Sequence, residues 1–271
     1  MKNASGSSFS IPEIEKFINS FSCISLKAKS SIKSDIRIVI HDQRTGTNPE
    51  LGFSIKSQLG EASTLLNAGK TTNFIFKIDG ANFSNDEIDQ INSINGRSKI
   101  KDRIEKIIEK TGSFKFIKTE SSIFGNNLTL IDSALPQIIS CIIYKFFTSK
   151  YSKLHDLATD IAASNPIGFD LETKHPFYFY KLKRFLSDVA LGMIPSKVWQ
   201  GELDTTGGYL VVKENGEILC YHIYNRNEFE DYLIKNTKLE TGSSTRHDFG
   251  KIYNEAQQLY FKLNLQIRFL K

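Results

Sequence analysis

Residues 35–58 read DIRIVIHDQRTGTNPELGFSIKSQ. Two β-branched, apolar-alternating runs, DIRIVIHD and LGFSIKSQ, flank QRTGTNPE, in which Gly46, Asn48 and Pro49 are turn formers. The pattern predicts a β-hairpin. With a period of two, Ser54, Lys56 and Gln58 share one face while Phe53 and Ile55 take the other. On the first run Asp35 and Arg37 share a face, and Ile36, Ile38 and Ile40 point the opposite way. A turn centred between Gly46 and Thr47 would set Asp35 across from Gln58 and Arg37 across from Lys56, gathering the four polar groups on one surface. A carboxylate able to hold a divalent cation beside a lysine suits phosphodiester hydrolysis. The cation polarises a phosphate oxygen and acidifies a bound water, and the ammonium stabilises charge in the transition state. Each residue also has a plainer use: a strand lysine as a solvated outer face, an aspartate opening a strand as a cap or turn residue.

Outward from this hairpin the chain alternates between helical and extended patterns. Residues 1–10 are rich in Ser, Gly and Asn and are expected to be disordered. Ile11, Ile14, Phe17, Ile18 and Phe21 recur at helical spacing around Pro12, which predicts a short amphipathic helix. Downstream, a short helix is predicted over 61–69, closed by Gly69, then a strand over Asn73–Ile78. Two amphipathic helices follow within 85–110, broken at Asn95-Gly96, and further helices at 128–148, 151–163 and 176–191. The run GGYLVVKENGEILCYHIY (207–224) reads as two strands about an Asn215-Gly216 turn. A helix at 227–235, a Ser/Thr-rich loop at 241–247 and a final strand near 259–269 complete the pattern. With no repeat and no long linker, residues 11–271 are expected to form a single α+β domain.

Composition limits the function classes. Hydrophobic residues are 40% and charged residues 24% of 271, the values of an ordinary globular chain. The 35 Lys and Arg against 30 Asp and Glu leave a charge of +5, which suits a nucleic-acid partner without identifying one. No stretch of about 18 apolar residues is present, which excludes a membrane-spanning helix. The first residues lack the apolar core of a secretory signal. Cys23, Cys141 and Cys220 are odd in number and widely spaced, which excludes a disulfide framework and a thiolate zinc site, and the expected compartment is the reducing cytoplasm. The five histidines fall at no metal-binding spacing. Gly207-Gly208 is expected to be a turn, and Trp199, Phe177, Phe179 and Phe185 to build core.

The run PELGFSIKSQLGEASTLLNAGKTTNF (49–74) resembles the signature segment of the HpaII-type restriction endonucleases. GGYLVVKENGEILCYHIY, TKLETGSSTRHDFG (237–250) and KLNLQIRF (262–269) resemble the same family, so that the similarity runs from about Phe9 to the end. The resemblance implies a PD-(D/E)xK-like nuclease core, a mixed central sheet flanked by helices, with an additional C-terminal β-rich region. It implies a bacterial or archaeal type II enzyme that uses Mg²⁺ to cut both strands of a short duplex DNA site and works beside a cognate DNA methyltransferase. The products would carry 5′-phosphate and 3′-hydroxyl ends. The family is associated with the site CCGG, although such families change target readily. A palindromic site would call for a homodimer or for two successive nicks by a monomer.

Carried over residue by residue, the resemblance puts the metal-binding aspartate at Asp35, in KSDI, and the catalytic lysine at Lys56, in SIK. The position two before the lysine, an acid in the superfamily, is Ser54 here, and a neutral hydroxyl is a poor Mg²⁺ ligand. Either another acid replaces it (Glu13, Glu15, Asp42, Glu50 or Glu61), or Gln58 and backbone carbonyls complete the shell. Asp42 competes with Asp35, which is preferred because Asp42 belongs to the turn end. Ser54 also leaves open an inactive DNA-binding protein on the same fold, and a nicking or repair nuclease is a third reading. For DNA contacts the candidates are Thr64, Asn67 and Asn73 after the catalytic strand and Arg246 and His247 in the polar loop. Gln266 and Arg268 join them, on one side of the alternating KLNLQIRF. Solvated helix and sheet faces explain the same residues.

Overall fold

The computed structural model describes residues 12, 16, 20, 34–39, 41, 43–57, 62–213 and 215–270. The helix expected around Pro12 and the disorder expected at 1–10 fall largely outside these. Among the described residues the chain is mixed α+β, with eleven strands in three sheets and eight α-helices. The hairpin strands are β1 (Ile36–Val39) and β2 (Glu50–Ser57), and β2 pairs in parallel with β6 (Gly208–Val212), which is antiparallel to β7 (Ile218–His222). This sheet is mixed, in the order β1-β2-β6-β7. Parallel neighbours need a crossover, and this one spans residues 58–207, more than half of the chain.

A second, antiparallel sheet has the order β5-β4-β10-β9, built from β5 (Ser113–Thr119), β4 (Asn73–Asp79), β10 (Gln258–Asn264) and β9 (Ile252–Glu255). The third joins β3 (Thr64–Leu66), β11 (Ile267–Phe269) and β8 (Thr237–Leu239). The C-terminal strands are therefore no separate β-rich region. β10 pairs with β4 and β11 with β3, so they are stitched into strands from the first third of the chain.

Three predicted elements need correction. The segment 61–69 is no helix: Thr64–Leu66 pairs with β11, with Ile267 opposite Leu66, and tertiary pairing overrides local propensity. The predicted helix 128–148 is two helices, α3 (Ser122–Ile131) and α4 (Leu135–Thr148), bent by 110°, with Pro136 in the first turn of the second. The run 259–269 divides between β10 and β11, which lie in different sheets. Strand β5 goes unpredicted although SFKFIKT alternates cleanly; its Phe114 and Phe116 pack on Tyr144, Phe74 and Phe76. The two helices expected within 85–110 are α1 (Asn85–Ser93), opened by a Ser84–Glu87 capping box, and α2 (Lys99–Glu109). The remainder are α5 (Leu154–Ser164), α6 (Phe177–Leu191), α7 (Arg226–Lys235) and the short α8 (Ser244–His247), which lies inside the expected loop.

Helices α4 and α6 are the apolar centre: Ile138, Ile142, Ile143, Leu182, Phe185 and Leu186 are all essentially inaccessible. Two polar groups inside this packing stand out. Arg103 of α2 is buried, forms no ion pair among the described residues, and donates instead to the carbonyls of Gly250 (2.5 Å), Asn92 (2.6 Å) and Ile94 (2.6 Å). One side chain thus ties the ends of α1 and α2 to the turn before β9. Asp188 of α6 faces α7, where Glu230 is held by Arg226 at 2.7 Å. Burial, with the charge of Glu230, pushes the Asp188 carboxyl up to about 6 from its ordinary 3.8.

Replacing Arg103 by Met, which keeps the stem but removes the donors, should strand one buried and two half-buried carbonyls and cost on the order of 3 kcal/mol. A thermal midpoint equal to that of the wild type would deny the arginine this role. Asp188 has a signed pH consequence. Its folded-state pKa is raised, so folding takes up a proton, and stability is greatest below pH 4 with respect to this group and declines as pH rises through about 6. Asp188→Asn should therefore flatten the stability profile between about pH 4 and 6 and gain up to about 2 kcal/mol at pH 7, allowing for partial solvent screening. Denaturant titrations across that range check the slope.

Candidate active site

In the hairpin, Ile36 faces Phe53, Arg37 faces Gly52 and Val39 faces Glu50. The expected pairing, Arg37 with Lys56, is thus out by four residues. Because four is an even number, every side chain keeps its predicted face. Arg37 donates to Glu50 at 2.8 Å and is withdrawn from Lys56; Glu50, one of the acids offered as a substitute ligand, is occupied by that pair. Asp35 sits just ahead of β1, and its amide donates to the Phe53 carbonyl at 2.8 Å.

Asp35 Oδ2 accepts from the Ser54 hydroxyl at 3.0 Å and from the Ile55 amide at 2.6 Å. Two donors from the neighbouring strand fix the carboxylate and leave Oδ1 to project from an exposed position. Ser54 itself is buried. Its hydroxyl orients the aspartate by that hydrogen bond.

Lys56 lies on the same face as Ser54, half-buried, with Nζ 5.2 Å from the centroid of the Tyr209 ring. Tyr209 is directly across from Ser54 on β6 and its hydroxyl donates to the Ala190 carbonyl of α6 at 3.1 Å. Burial lowers the Lys56 pKa, and the negative charge of Asp35 opposes that shift. The same burial, reinforced by Asp35, raises the Tyr209 phenol and keeps it neutral. Desolvated cations interact more strongly with charges near them than solvated ones do. Sequence alone does not associate Tyr209 with this site, since nothing local links residues so far apart; only the parallel pairing does.

That pairing depends on two glycines. A Cβ at Gly207 would meet Phe53 Cζ at 2.4 Å, while Gly208 has φ +104° and would drive a Cβ to 2.1 Å from the Tyr221 carbonyl. The pair expected as a simple turn is where β2, β6 and β7 close on one another.

Of the cation-binding candidates, Asp35 is the acid the structure puts beside the lysine. Gln58, Glu13, Glu15, Asp42 and Glu61 lie outside the described residues. Among the described residues no three His, Cys, Asp or Glu side chains converge. Mg²⁺ takes one or two carboxylates, several waters and substrate phosphate oxygens. One fixed carboxylate with a free oxygen fits the protein's share of such a shell.

The predicted DNA-contacting residues separate into three groups. Asn73 is fully buried, and its amide donates to Glu120 at 2.7 Å and to the His247 carbonyl at 2.8 Å, so it is a framework residue and not a reader of DNA. Thr64 and Arg268 engage one another at 3.3 Å, and Arg268 also pairs with Glu240 at 3.1 Å. The alternation expected in KLNLQIRF fails here: Asn264 is buried and Lys262 is held by Glu120 and Asp248. The third group converges on Gly242, where a Cβ would lie 3.3 Å from Gln266 Oε1, 3.5 Å from the His247 ring and 2.7 Å from Ala68. Next to that meeting point Asn67 and Arg246 are exposed.

The family model for the HpaII restriction endonuclease matches residues 1–269. The type II restriction enzyme HpaII of Haemophilus parainfluenzae is 54% identical over 271 residues, covering 100% of this chain and 74% of the relative. No solved structure matches. With a match over nearly its whole length and that identity, the chain belongs to the HpaII restriction endonuclease family.

Proposed function

We propose that the protein is a Mg²⁺-dependent type II restriction endonuclease that hydrolyses both strands of a short duplex site, with Asp35 and Lys56 at its centre. The observation that carries this reading is the Asp35 carboxylate, fixed by Ser54 and Ile55, on the same sheet face as a half-buried lysine. Asp35 would hold the cation, which when bound supplies positive charge to a phosphate oxygen and acidifies water. Lys56 places its ammonium, supported beneath by the Tyr209 ring, against the charge that develops on the phosphate. Ser54 positions Asp35 and does not itself ligate. The hairpin and its parallel neighbour β6 support reading β2 as the catalytic strand of a PD-(D/E)xK-like core, with the acid of the motif replaced by serine.

The DNA-reading surface in this proposal is the convergence at Gly242 of the 67–69 segment, His247 and Gln266, with Arg246 on its rim. Arg268, already paired with Glu240, contributes to the frame of that surface. A target with two-fold symmetry would be met by a homodimer, and a partner methyltransferase would protect host DNA.

Lys56→Ala should reduce plasmid cleavage by at least about a thousandfold while leaving duplex affinity within about tenfold, since one lysine supplies transition-state charge but only one phosphate contact. Asp35→Asn should abolish the Mg²⁺-dependent reaction. Timed digests of a sequenced plasmid with and without Mg²⁺ read both, and near-normal rates in either variant would remove that residue from the mechanism. Absence of any cleavage by the wild type would favour the inactive DNA-binding reading that Ser54 suggests. On the recognition surface, Arg246→Ala should weaken duplex binding. A base contact would cost about 1–3 kcal/mol at one base pair, and a phosphate contact would weaken all sequences evenly and flatten the salt dependence. Affinity unchanged for every duplex at two salt concentrations would place the interface elsewhere.

A further inference from the structure

We propose that the cavity between α3, α6 and the segment following Trp199 binds a guanine base. The cavity holds about 330 Å³, and its lining includes Asp188, Arg184, Arg226, Ser187 and Trp199. This is at the small end of ligand sites and ample for a purine. Neither Asp35 nor Lys56 lines it.

Asp188 is only 9% exposed as a residue and lines the cavity, and among the described residues no side chain forms an ion pair with it. A carboxylate that lines a cavity has acceptor capacity to offer a ligand seated there. At pH above about 6 the carboxylate is ionised and only accepts. A cationic ligand is disfavoured, because Arg184 and Arg226 line the same space. An anionic one is disfavoured by Asp188, with Glu230 behind it. What fits is a neutral, flat molecule with two adjacent donors on one edge and acceptors on another. Guanine presents N1–H and the 2-amino group side by side, matching the two oxygens of a carboxylate, and O6 and N7 on a second edge, matching a guanidinium. Adenine and cytosine each set a ring acceptor beside their amino group, which would face the carboxylate lone pairs.

The aromatic wall is already in place. Trp199 Nε1 donates to the Glu202 carbonyl at 2.8 Å, and its amide donates to Asn127 Oδ1 at 3.1 Å. Asn127 is itself buried and donates to the Lys197 carbonyl at 2.8 Å. Arg226 uses Nε on Glu230 at 2.7 Å, which leaves its terminal nitrogens as donors. A pre-organised site loses less on binding.

The guanine has two sources: a base extruded from duplex DNA, which rests on the nuclease reading above, or a free guanine nucleotide, which does not. Trp199 is the chain's one tryptophan, so its emission reports on the cavity directly. Titration of the full chain with GMP at pH 7.5 should change that emission saturably. IMP, lacking the 2-amino group, should bind at least tenfold more weakly, and AMP and CMP should give no response. Asp188→Asn, nearly isosteric, should weaken GMP at least tenfold; Arg184→Gln should weaken it as well and provides a second test should the first variant fail to fold. In the other arm, a duplex carrying the fluorescent guanine analogue 6-methylisoxanthopterin is mixed with wild type and variant. Brighter emission with the wild type alone assigns the pocket to an extruded base; a GMP response without it assigns the pocket to a free nucleotide. The proposal is overturned if neither probe responds, if GMP and AMP act alike, or if the variants that fold respond as the wild type does. Parallel plasmid digests by the wild type separate failure of this pocket from failure of the nuclease reading.

Discussion

The parallel seam between β2 and β6 is the constraint on which the rest of the structure depends. A hairpin alone is marginal in water, and β1 offers little to help, since Ile36, Ile38 and Val39 remain exposed. What covers β2 is β6, which brings Tyr209 opposite Ser54 and Val211 opposite Lys56. The seam requires close backbone approach, and Gly207 and Gly208 allow it where any side chain would collide with Phe53 or with β7. It also requires that everything between residues 58 and 207 fold first or fold together, because those residues form the crossover. The active strand is thus local in sequence but non-local in stability.

This division explains what the sequence made legible. The period-two alternation of DIRIVIHD and LGFSIKSQ showed the hairpin and the faces of Asp35, Ser54 and Lys56, because side-chain direction follows from strand parity alone. Register was not legible, since a ten-residue connection of turn formers can close in several ways, and the four-residue offset moved Arg37 from Lys56 to Glu50. The Asn215-Gly216 hairpin and the break at Asn95-Gly96 were legible because turn chemistry is local. Strand β3 was not, since STLLN is made extended by β11 from the far end of the chain. KLNLQIRF misled for the same reason: its alternation breaks at the buried Asn264, and the chain changes sheets between Asn264 and Ile267.

The candidate site sharpens one point that resemblance leaves unsettled. If position 54 is where the second acid of the motif would stand, as proposed, the serine there still has a use: with the Ile55 amide its hydroxyl fixes one oxygen of Asp35. A single fixed carboxylate binds a hard cation more weakly than a pair would, so substrate phosphate oxygens must supply more of the shell. Cation and DNA would then bind interdependently, each completing the site for the other, as reciprocal linkage demands.

Helix α6 connects the two regions of chemical interest. Its Ala190 carbonyl accepts from the Tyr209 hydroxyl, which fixes the ring beneath Lys56, while two residues earlier Asp188 lines the cavity beside Trp199. Beyond its end, the amides of Asp204 and Thr205 both donate to the Leu191 carbonyl, and the same segment leads directly into Gly207 and β6. A shift of α6 by even a fraction of an ångström would therefore be felt at the aromatic floor of the lysine, because close-packed interiors transmit displacement instead of absorbing it. Filling the cavity would act on the helix at Asp188, and the Tyr209–Ala190 hydrogen bond is the shortest physical path from there to the catalytic strand. That path runs two residues along the helix, about half a turn, and through one hydrogen bond, so coupling carried by it should show itself in the Tyr209→Phe variant. Removal of the hydroxyl leaves the ring under Lys56 and takes away its own hydrogen bond to α6, while the Asp204 and Thr205 contacts to Leu191 remain.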